Sequence, residues 1–119
     1  MKKYFLLPAI CSVFLFSVQE IAAQDTEIDT AEFHVKGVCS QCKARIENAA
    51  YIKGVKFCEW NIETGMLSVI YKPEKVELAE IHKSIAQAGH TTDMLPADQD
   101  AYNKLPSCCA YNNEGVHKH

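Results

Sequence analysis

Residues 31–43 read AEFHVKGVCSQCK and carry the clearest structural pattern in the chain. Its first six residues alternate between apolar and polar side chains, which is the period-two pattern of a half-buried β-strand. Gly37 then ends the strand, and Ser40 is a good N-cap for the apolar residues that follow at helical spacing. The stretch therefore predicts a strand, a short loop and an α-helix, with Cys39 and Cys42 where the loop becomes the helix.

The patterning continues beyond this helix. Residues 55–72 alternate on both sides of a Glu-Thr-Gly turn sequence and predict a β-hairpin. Residues 73–88 carry apolar side chains at helical spacing and predict an amphipathic helix, and residues 91–95 predict a short last strand. The order β-α-β-β-α-β predicts an α+β, ferredoxin-like sandwich over residues 31–96, with a four-stranded antiparallel sheet and two helices on one face.

The two ends of the chain lie outside this unit. Residues 1–23 begin with two lysines, continue as an unbroken apolar run and end in small residues, which is the pattern of a secretory signal peptide. Residues 24–30 form a polar lead-in, and residues 97–119 form a C-terminal extension that carries two adjacent cysteines. We therefore expect a periplasmic or secreted protein that has no membrane segment once the signal peptide is removed.

Composition limits the classes of function. The chain has 119 residues, 48% of them hydrophobic, and a formal net charge of −3, so we expect one globular domain and no nucleic-acid partner. No phosphate-binding loop or catalytic constellation is visible in the sequence, and we do not expect an enzyme. Five of the six cysteines follow residue 23. An odd number of cysteines cannot all be paired within the chain, and the CxxC and CC spacings suit a disulfide framework poorly. The cysteines therefore indicate metal or redox chemistry.

The CxxC pair is the sharpest of these signals. Two thiols that flank the first turn of a helix can point at one ion, with Cys39 in the loop and Cys42 in the helix. The helix N-terminus and the adjacent Lys43 are expected to lower the thiol pKa values and to favour the thiolates that bind metals. Thiolates select soft ions, which predicts Cu(I) first and Zn(II) or Hg(II) after it.

These features together resemble a known family. The GxCxxC sequence of residues 37–42, the helix that carries Ile46, the Gly54-Val55 start of the second strand and the order of elements are similar to the heavy-metal-associated domain. That family includes copper metallochaperones, N-terminal domains of metal-exporting P-type ATPases and periplasmic mercury-binding proteins. The chain departs from the family at Val38, because the common form has a methionine and one further residue between the glycine and the first cysteine.

The resemblance implies a function and a set of partners. A soft ion would be held by Cys39 and Cys42 and exchanged with a metal-transporting ATPase, an efflux component or another metal-binding protein. The ion could also bridge two copies of the chain, so both a monomer and a metal-bridged dimer are compatible with the resemblance. The position of His90 matches a tyrosine of bacterial members in a loop that faces the metal, so His90 is a candidate ligand or a hydrogen-bond donor to sulfur.

The other cysteines fall into two groups. Cys58 lies among apolar residues and is expected to pack in the core as a small hydrophobe. Cys108 and Cys109 are adjacent and cannot easily form a disulfide with each other, so they are candidate additional ligands. One hypothesis is that the extension folds back over the first loop and brings one or both thiols to Cys39 and Cys42. In the alternative, the extension is disordered, and its thiols are oxidised or bind metal independently.

Two other classes of function remain open at this point. In an oxidising compartment the same CxxC could serve a thiol-disulfide oxidoreductase, although Gly37-Val38 stands where such enzymes usually have an aromatic residue. A structural Zn(II) or interaction module is the third alternative. It would need the metal in order to fold, whereas the strand and helix patterns predict a sufficient core without one.

Overall fold

The computed structural model describes residues 27–111. The predicted signal peptide, residues 1–23, and the end of the tail with His117 and His119 lie outside the described residues. The elements follow in the order β1 (Asp29–His34), α1 (Ser40–Ala50), β2 (Val55–Trp60), β3 (Met66–Tyr71), α2 (Leu78–Gln87), α3 (Gln99–Asn103) and a 3₁₀ turn (Ser107–Cys109). Within this range no helix is long and apolar enough to cross a bilayer.

The sheet has three strands in the order β1-β3-β2, and both pairings are antiparallel. The predicted four-stranded sheet is not present within residues 27–111, where the fourth strand is reduced to one isolated antiparallel bridge between Val35 and Thr92. The reason is local, because the Thr92 hydroxyl accepts hydrogen bonds from the backbone N–H groups of Met94 and Leu95, both at 3.1 Å. This side-chain turn bends the chain away before a ladder can form.

The core lies between the inner face of the sheet and the helices. Alternate residues of β3 are buried, and α1 packs against both α2 and β2. Trp60 is fully buried, and its indole Nε1 donates to the carbonyl oxygens of Val35 at 3.1 Å and Gly65 at 3.0 Å. The principal core residues are Phe33, Val35, Cys42, Ile46, Val55, Trp60, Leu67, Val69, Ile81 and Ile85. Cys42, one of the two cysteines of the CxxC sequence, is thus part of the core.

Cys58 packs against this core, as its apolar surroundings predicted. Its thiol is partly buried and donates to the Glu47 carbonyl oxygen at 3.3 Å. Burial, together with the nearby Glu47 carboxylate, raises the pKa of Cys58 to about 11. Cys58 is therefore a protonated, structural thiol at neutral pH and has the properties of a poor metal ligand.

A buried histidine makes the stability of the fold depend on pH. His82 stacks on Phe33 with ring centroids 3.8 Å apart, and its Nδ1 lies 2.7 Å from the Thr92 hydroxyl. Burial lowers the pKa of His82 below its ordinary value of 6.5, and the nearby Asp93 only partly opposes this shift. The unfolded chain therefore binds a proton at a pH where the folded chain does not. The resulting stability is present above the unfolded-state pKa and is lost as the pH falls below it.

We expect Tm of the metal-free protein to fall between about pH 7.5 and pH 5.5, the range in which an unfolded histidine titrates. In His82→Leu the fall should be smaller, although not absent, because burial also lowers the pKa of His90. Thermal unfolding followed by circular dichroism at several pH values gives the slope, which is informative even when the variant has a lower Tm overall. An identical slope in His82→Leu and wild type would contradict this account.

Candidate metal centre

The first two candidate ligands lie at the start of α1. Cys39 is the N-cap residue, with extended backbone angles of φ −144° and ψ 175°, and takes the place that the sequence predicted for Ser40. Cys42 lies in the first turn of the helix and is completely buried, whereas Cys39 is partly exposed. Residues three apart share a helix face, and the two Sγ atoms are 3.5 Å apart. The CxxC pair is therefore convergent, with one thiol open to approach and one fixed in the core.

Close packing beneath the loop explains its glycine. A Cβ atom on Gly37 would lie 3.0 Å from Cys42 Cβ, 3.1 Å from Ile46 Cδ1 and 3.1 Å from Trp60 Cη2. All three neighbours are themselves buried, so they have little room to move. The backbone before Cys39 thus lies directly on the Trp60 ring, and the core of the domain supports the metal loop from below.

The C-terminal extension folds back onto this loop. The 3₁₀ turn contacts α1, and Cys109 is completely buried with its Sγ 3.5 Å from Cys39 Sγ. Cys108 Sγ is 4.0 Å from Cys109 Sγ and donates to Gln41 Oε1 at 3.0 Å. The Sγ atoms of Cys39, Cys108 and Cys109 all lie within 4.8 Å of one another. The structure therefore brings the CxxC pair and the CC pair together, although Cys39 and Cys109 are 70 positions apart in the sequence.

Helix α3 attaches the extension to the domain. Asp98 is its N-cap, with the side chain accepting from the Ala101 N–H at 2.9 Å and the backbone N–H donating to the Ala86 carbonyl at 2.8 Å. Gly89 has a positive φ of 101°, and a Cβ there would lie 3.0 Å from the Ala101 carbonyl carbon. The glycine that ends α2 is thus also the surface on which α3 packs.

Tyr111 fixes the far end of the extension. Its hydroxyl donates to the Gly89 carbonyl at 2.8 Å and accepts from the Thr91 N–H at 3.0 Å. Its ring stacks with that of His90, with centroids 5.6 Å apart, and makes an edge contact with Tyr102 at 5.0 Å. The 3₁₀ turn is therefore fixed at both ends, by α3 before it and by Tyr111 after it.

The thiols differ in how readily they lose a proton. Burial raises the pKa of Cys39, but the Cys42 backbone N–H and then the neighbouring thiols outweigh it, so the pKa is lowered overall. Burial raises the pKa of Cys109, and the adjacent Cys42 and Cys39 sulfurs raise it further. Cys39 thus loses its proton more readily than Cys109, which keeps its proton in the absence of metal. Ions that bind both must displace that proton.

Lys43 bonds to groups beside β2. Its Nζ donates to Glu47 Oε2 at 2.6 Å and to the Trp60 carbonyl at 2.8 Å. Its charge is therefore paired with the Glu47 carboxylate, and it opposes the rise in the pKa of the nearby Cys58 thiol. The predicted support of the thiolates by Lys43 stays a prediction.

His90 is completely buried. Its Nδ1 lies 2.7 Å from the Lys36 carbonyl oxygen, which only accepts, so Nδ1 carries the proton. Nε2 has no hydrogen-bond partner among the described residues and retains its lone pair. Burial, and to a smaller extent Arg45, lowers the pKa of His90 and keeps the ring neutral. His90 holds the loop beside Tyr111 in place, and its role as a ligand stays a prediction.

The thiols fit a soft ion in both chemistry and spacing. An ion with metal–sulfur bonds of about 2.3 Å holds its sulfurs about 3.8 Å apart in a tetrahedral site and about 4.0 Å apart in a trigonal one. The pairs Cys39–Cys42, Cys39–Cys109 and Cys108–Cys109 have Sγ separations of 3.5, 3.5 and 4.0 Å, and each pair taken by itself approaches these values. They are also far longer than a disulfide bond of about 2.05 Å, and the five cysteines in the described residues are free thiols.

A ferredoxin-like domain with convergent thiols at the start of its first helix defines a class of metal-binding modules. Residues 32–91 match the heavy-metal-associated domain family, and the chain belongs to this family. The family assignment from the GxCxxC sequence is confirmed. The matched range ends before α3, so Cys108, Cys109 and Tyr111 lie outside it.

Individual relatives come from several kinds of metal protein. The chain is 34% identical over 70 residues to a zinc-transporting ATPase of Synechocystis sp., a match that covers 57% of the chain and 10% of the ATPase. The solved CopZ metallochaperone is 30% identical, with a TM-score of 0.52 over 54% of this chain and 98% of CopZ. Oxidised MerP from Ralstonia metallidurans is 25% identical, with a TM-score of 0.53 over 56% of this chain and 96% of MerP. The chain thus spans about a tenth of the length of the ATPase it matches.

Proposed function

We propose that the protein captures a soft metal ion, Cu(I) in the first instance, through the thiolates of Cys39 and Cys42, and transfers or sequesters it outside the cytoplasm. The observation that carries this proposal is the convergence of the two Sγ atoms to 3.5 Å at the start of α1. Membership of the heavy-metal-associated family supports it. On this account the protein is a metal carrier and not an enzyme.

The unequal burial of the two thiols gives the order of exchange. Cys39 is partly exposed and Cys42 is completely buried, so a partner thiolate approaches the ion from the Cys39 side. As its sulfur binds, the coordination number of the ion rises by one, and the bond to Cys39 breaks before the bond to Cys42. The sulfurs and the ion keep their oxidation states throughout. The thiol pair thus serves as a site of exchange in which the ion is the cargo.

The choice of ion and partner follows from ligand softness and from the relatives. Thiolates favour Cu(I) over harder ions, and the similarity to the CopZ metallochaperone supports copper. The similarity to a zinc-transporting ATPase keeps Zn(II) as a competing cargo, and the softness of the thiolates keeps Hg(II) as another. A thiol-bearing protein such as the N-terminal region of a metal-transporting ATPase, or an efflux component, is the proposed partner. The apolar leader of residues 1–23 supports export from the cytoplasm.

An anaerobic titration tests this proposal. The reduced protein, expressed from residue 24, competes for Cu(I) with a chromophoric chelator, and we expect one tightly held copper per chain. The same preparation should leave insulin disulfides intact in a turbidity assay. Loss of all copper to the chelator, together with catalytic reduction of insulin, would instead establish the thiol-disulfide oxidoreductase. Retention of zinc but not copper would overturn Cu(I) as the cargo.

A further inference from the structure

Resting on the proposed function, we propose that the C-terminal extension supplies Cys109 as a third ligand to the ion held by Cys39 and Cys42. The extension is a closing flap that converts an open two-thiolate site into a closed three-thiolate one. A partner must then displace Cys109 before it reaches the ion. This ligand lies outside residues 32–91, the part of the chain that matches the family.

The position of Cys109 is that of a ligand and not of an incidental neighbour. Its Sγ lies as close to Cys39 Sγ as that of Cys42 does, 3.5 Å in each case. Cys39 is therefore flanked by two sulfurs that approach it from different segments of the chain. An ion that binds near Cys39 thus has two further sulfurs close to that of Cys39, one from Cys42 and one from Cys109.

The flap is held in place by contacts that do not involve sulfur. Asp98 caps α3 and bonds to the end of α2, while Tyr111 bonds to the Gly89 carbonyl and the Thr91 N–H. Leu105, between these two anchors, is buried in the same core cluster. The third thiol is thus presented by a folded segment, and little chain entropy is lost when the ion binds.

Burial distinguishes Cys109 from its neighbour Cys108. Cys109 is completely buried and faces the sulfur cluster, whereas Cys108 is partly exposed and its thiol donates to Gln41. Cys108 Sγ also belongs to the cluster, within 4.8 Å of Cys39 Sγ and 4.0 Å from Cys109 Sγ, but its hydrogen bond is made to Gln41 and not to the CxxC pair. We therefore assign the third ligand to the buried Cys109.

Exchange through this site is a balanced substitution. The partner thiol loses its proton, its sulfur forms a bond to the ion, and the bond between the ion and Cys109 breaks. Cys109 takes up a proton, and the flap opens. The ion keeps three sulfur ligands and its oxidation state. The flap therefore slows loss of the ion to small competitors while leaving a route for a protein that brings its own thiolate.

Three single substitutions in the C-terminal extension test this inference, each made in the protein that keeps the whole extension. Cu(I) competition is measured under anaerobic, reducing conditions. We expect Cys109→Ser to lower Cu(I) affinity by at least about tenfold, since even indirect partners of a metal ligand are worth 10–100-fold, and to speed transfer of copper to the chelator. Cys58→Ser, which removes a thiol outside the cluster, is the matched control and should retain wild-type values, whereas Cys108→Ser should change both quantities less than Cys109→Ser does. Tyr111→Phe keeps every thiol and the ring but loses the hydrogen bonds of the hydroxyl. It should therefore also lower Cu(I) affinity and speed transfer of copper to the chelator, as Cys109→Ser does.

Each outcome decides between the two proposals. Suppose that Cys109→Ser and Tyr111→Phe both keep the wild-type affinity and transfer rate, while Cys39→Ser loses binding. That result would overturn Cys109 as the third ligand and leave the proposed CxxC carrier intact. An equal loss in Cys108→Ser and Cys109→Ser would overturn the assignment to Cys109. Unchanged binding in Cys39→Ser as well would overturn the proposed function itself. Near-ultraviolet circular dichroism of each variant establishes that the domain is folded.

Discussion

Cys39→Ser or Cys42→Ser lowers Cu(I) affinity by more than about a hundredfold, because each removes a direct sulfur ligand, whereas loss of an indirect partner alone costs 10–100-fold. The hydroxyl that replaces the thiol is harder and does not ionise at neutral pH. Cys42→Ser should also destabilise the metal-free fold, because Cys42 is completely buried in the core. Cys39→Ser should not, because Cys39 is partly exposed.

Cys58→Ser is the matched control for these variants. It removes one thiol of the five, and the serine hydroxyl can keep the hydrogen bond that Cys58 donates to the Glu47 carbonyl. Competition with a chromophoric chelator should give the wild-type affinity for Cys58→Ser. If Cys58→Ser weakened copper binding as much as Cys39→Ser, the site would not be the one at the start of α1.

Trp60→Ala lowers the free energy of unfolding of the metal-free protein by about 3–5 kcal/mol, the range for removal of a large buried aromatic side chain. Trp60 is completely buried, and its loss also leaves the carbonyls of Val35 and Gly65 without their indole donor. A domain of this size has little stability beyond that amount, so part of the population should be unfolded at room temperature. The Gly37 loop loses its support as well, because Trp60 Cη2 lies against it.

Phe57→Ala is the control on the same strand, because Phe57 is 44% exposed. Urea unfolding under reducing conditions should give a change of about 0.5 kcal/mol or less for Phe57→Ala, as is usual at the surface. Trp60→Phe keeps the ring volume in part and gives a measurable midpoint if Trp60→Ala does not fold. A loss in Trp60→Phe no greater than that in Phe57→Ala would contradict the role of Trp60 as the support of the metal loop.

The β1–α1 unit could be predicted from the sequence because its signals are local. Alternation predicted β1, although the strand runs from Asp29 to His34 and not over residues 31–36. Helical spacing after Ser40 predicted α1, although its N-cap is Cys39. The missing fourth strand was not predictable from such a pattern, because Thr92 turns the chain through hydrogen bonds of its own side chain. Lys43 shows the same limit, since its partner Glu47 and the Trp60 carbonyl become neighbours only when α1 packs on β2.

The extension shows how much of a site depends on tertiary contacts. The adjacent cysteines were visible in the sequence and gave the fold-back hypothesis, but the residues that hold them in place were not recognised. Asp98 and Tyr111 are ordinary in sequence, and they acquire their roles only because Ala86 presents its carbonyl to Asp98 and because Gly89 and Thr91 present backbone groups to Tyr111. For Tyr111, the one signal in the sequence was its position two residues after Cys109.

The number of sulfur atoms bound to the ion tests whether the thiolates of Cys39, Cys42 and Cys109 capture it. X-ray absorption at the copper edge of the Cu(I)-loaded protein, expressed from residue 24, counts the sulfur neighbours of the metal. Capture by Cys39, Cys42 and Cys109 predicts a shell of three sulfurs in the wild type and of two in Cys109→Ser. A shell made of nitrogen and oxygen neighbours, unchanged by Cys39→Ser, would contradict thiolate capture at the start of α1.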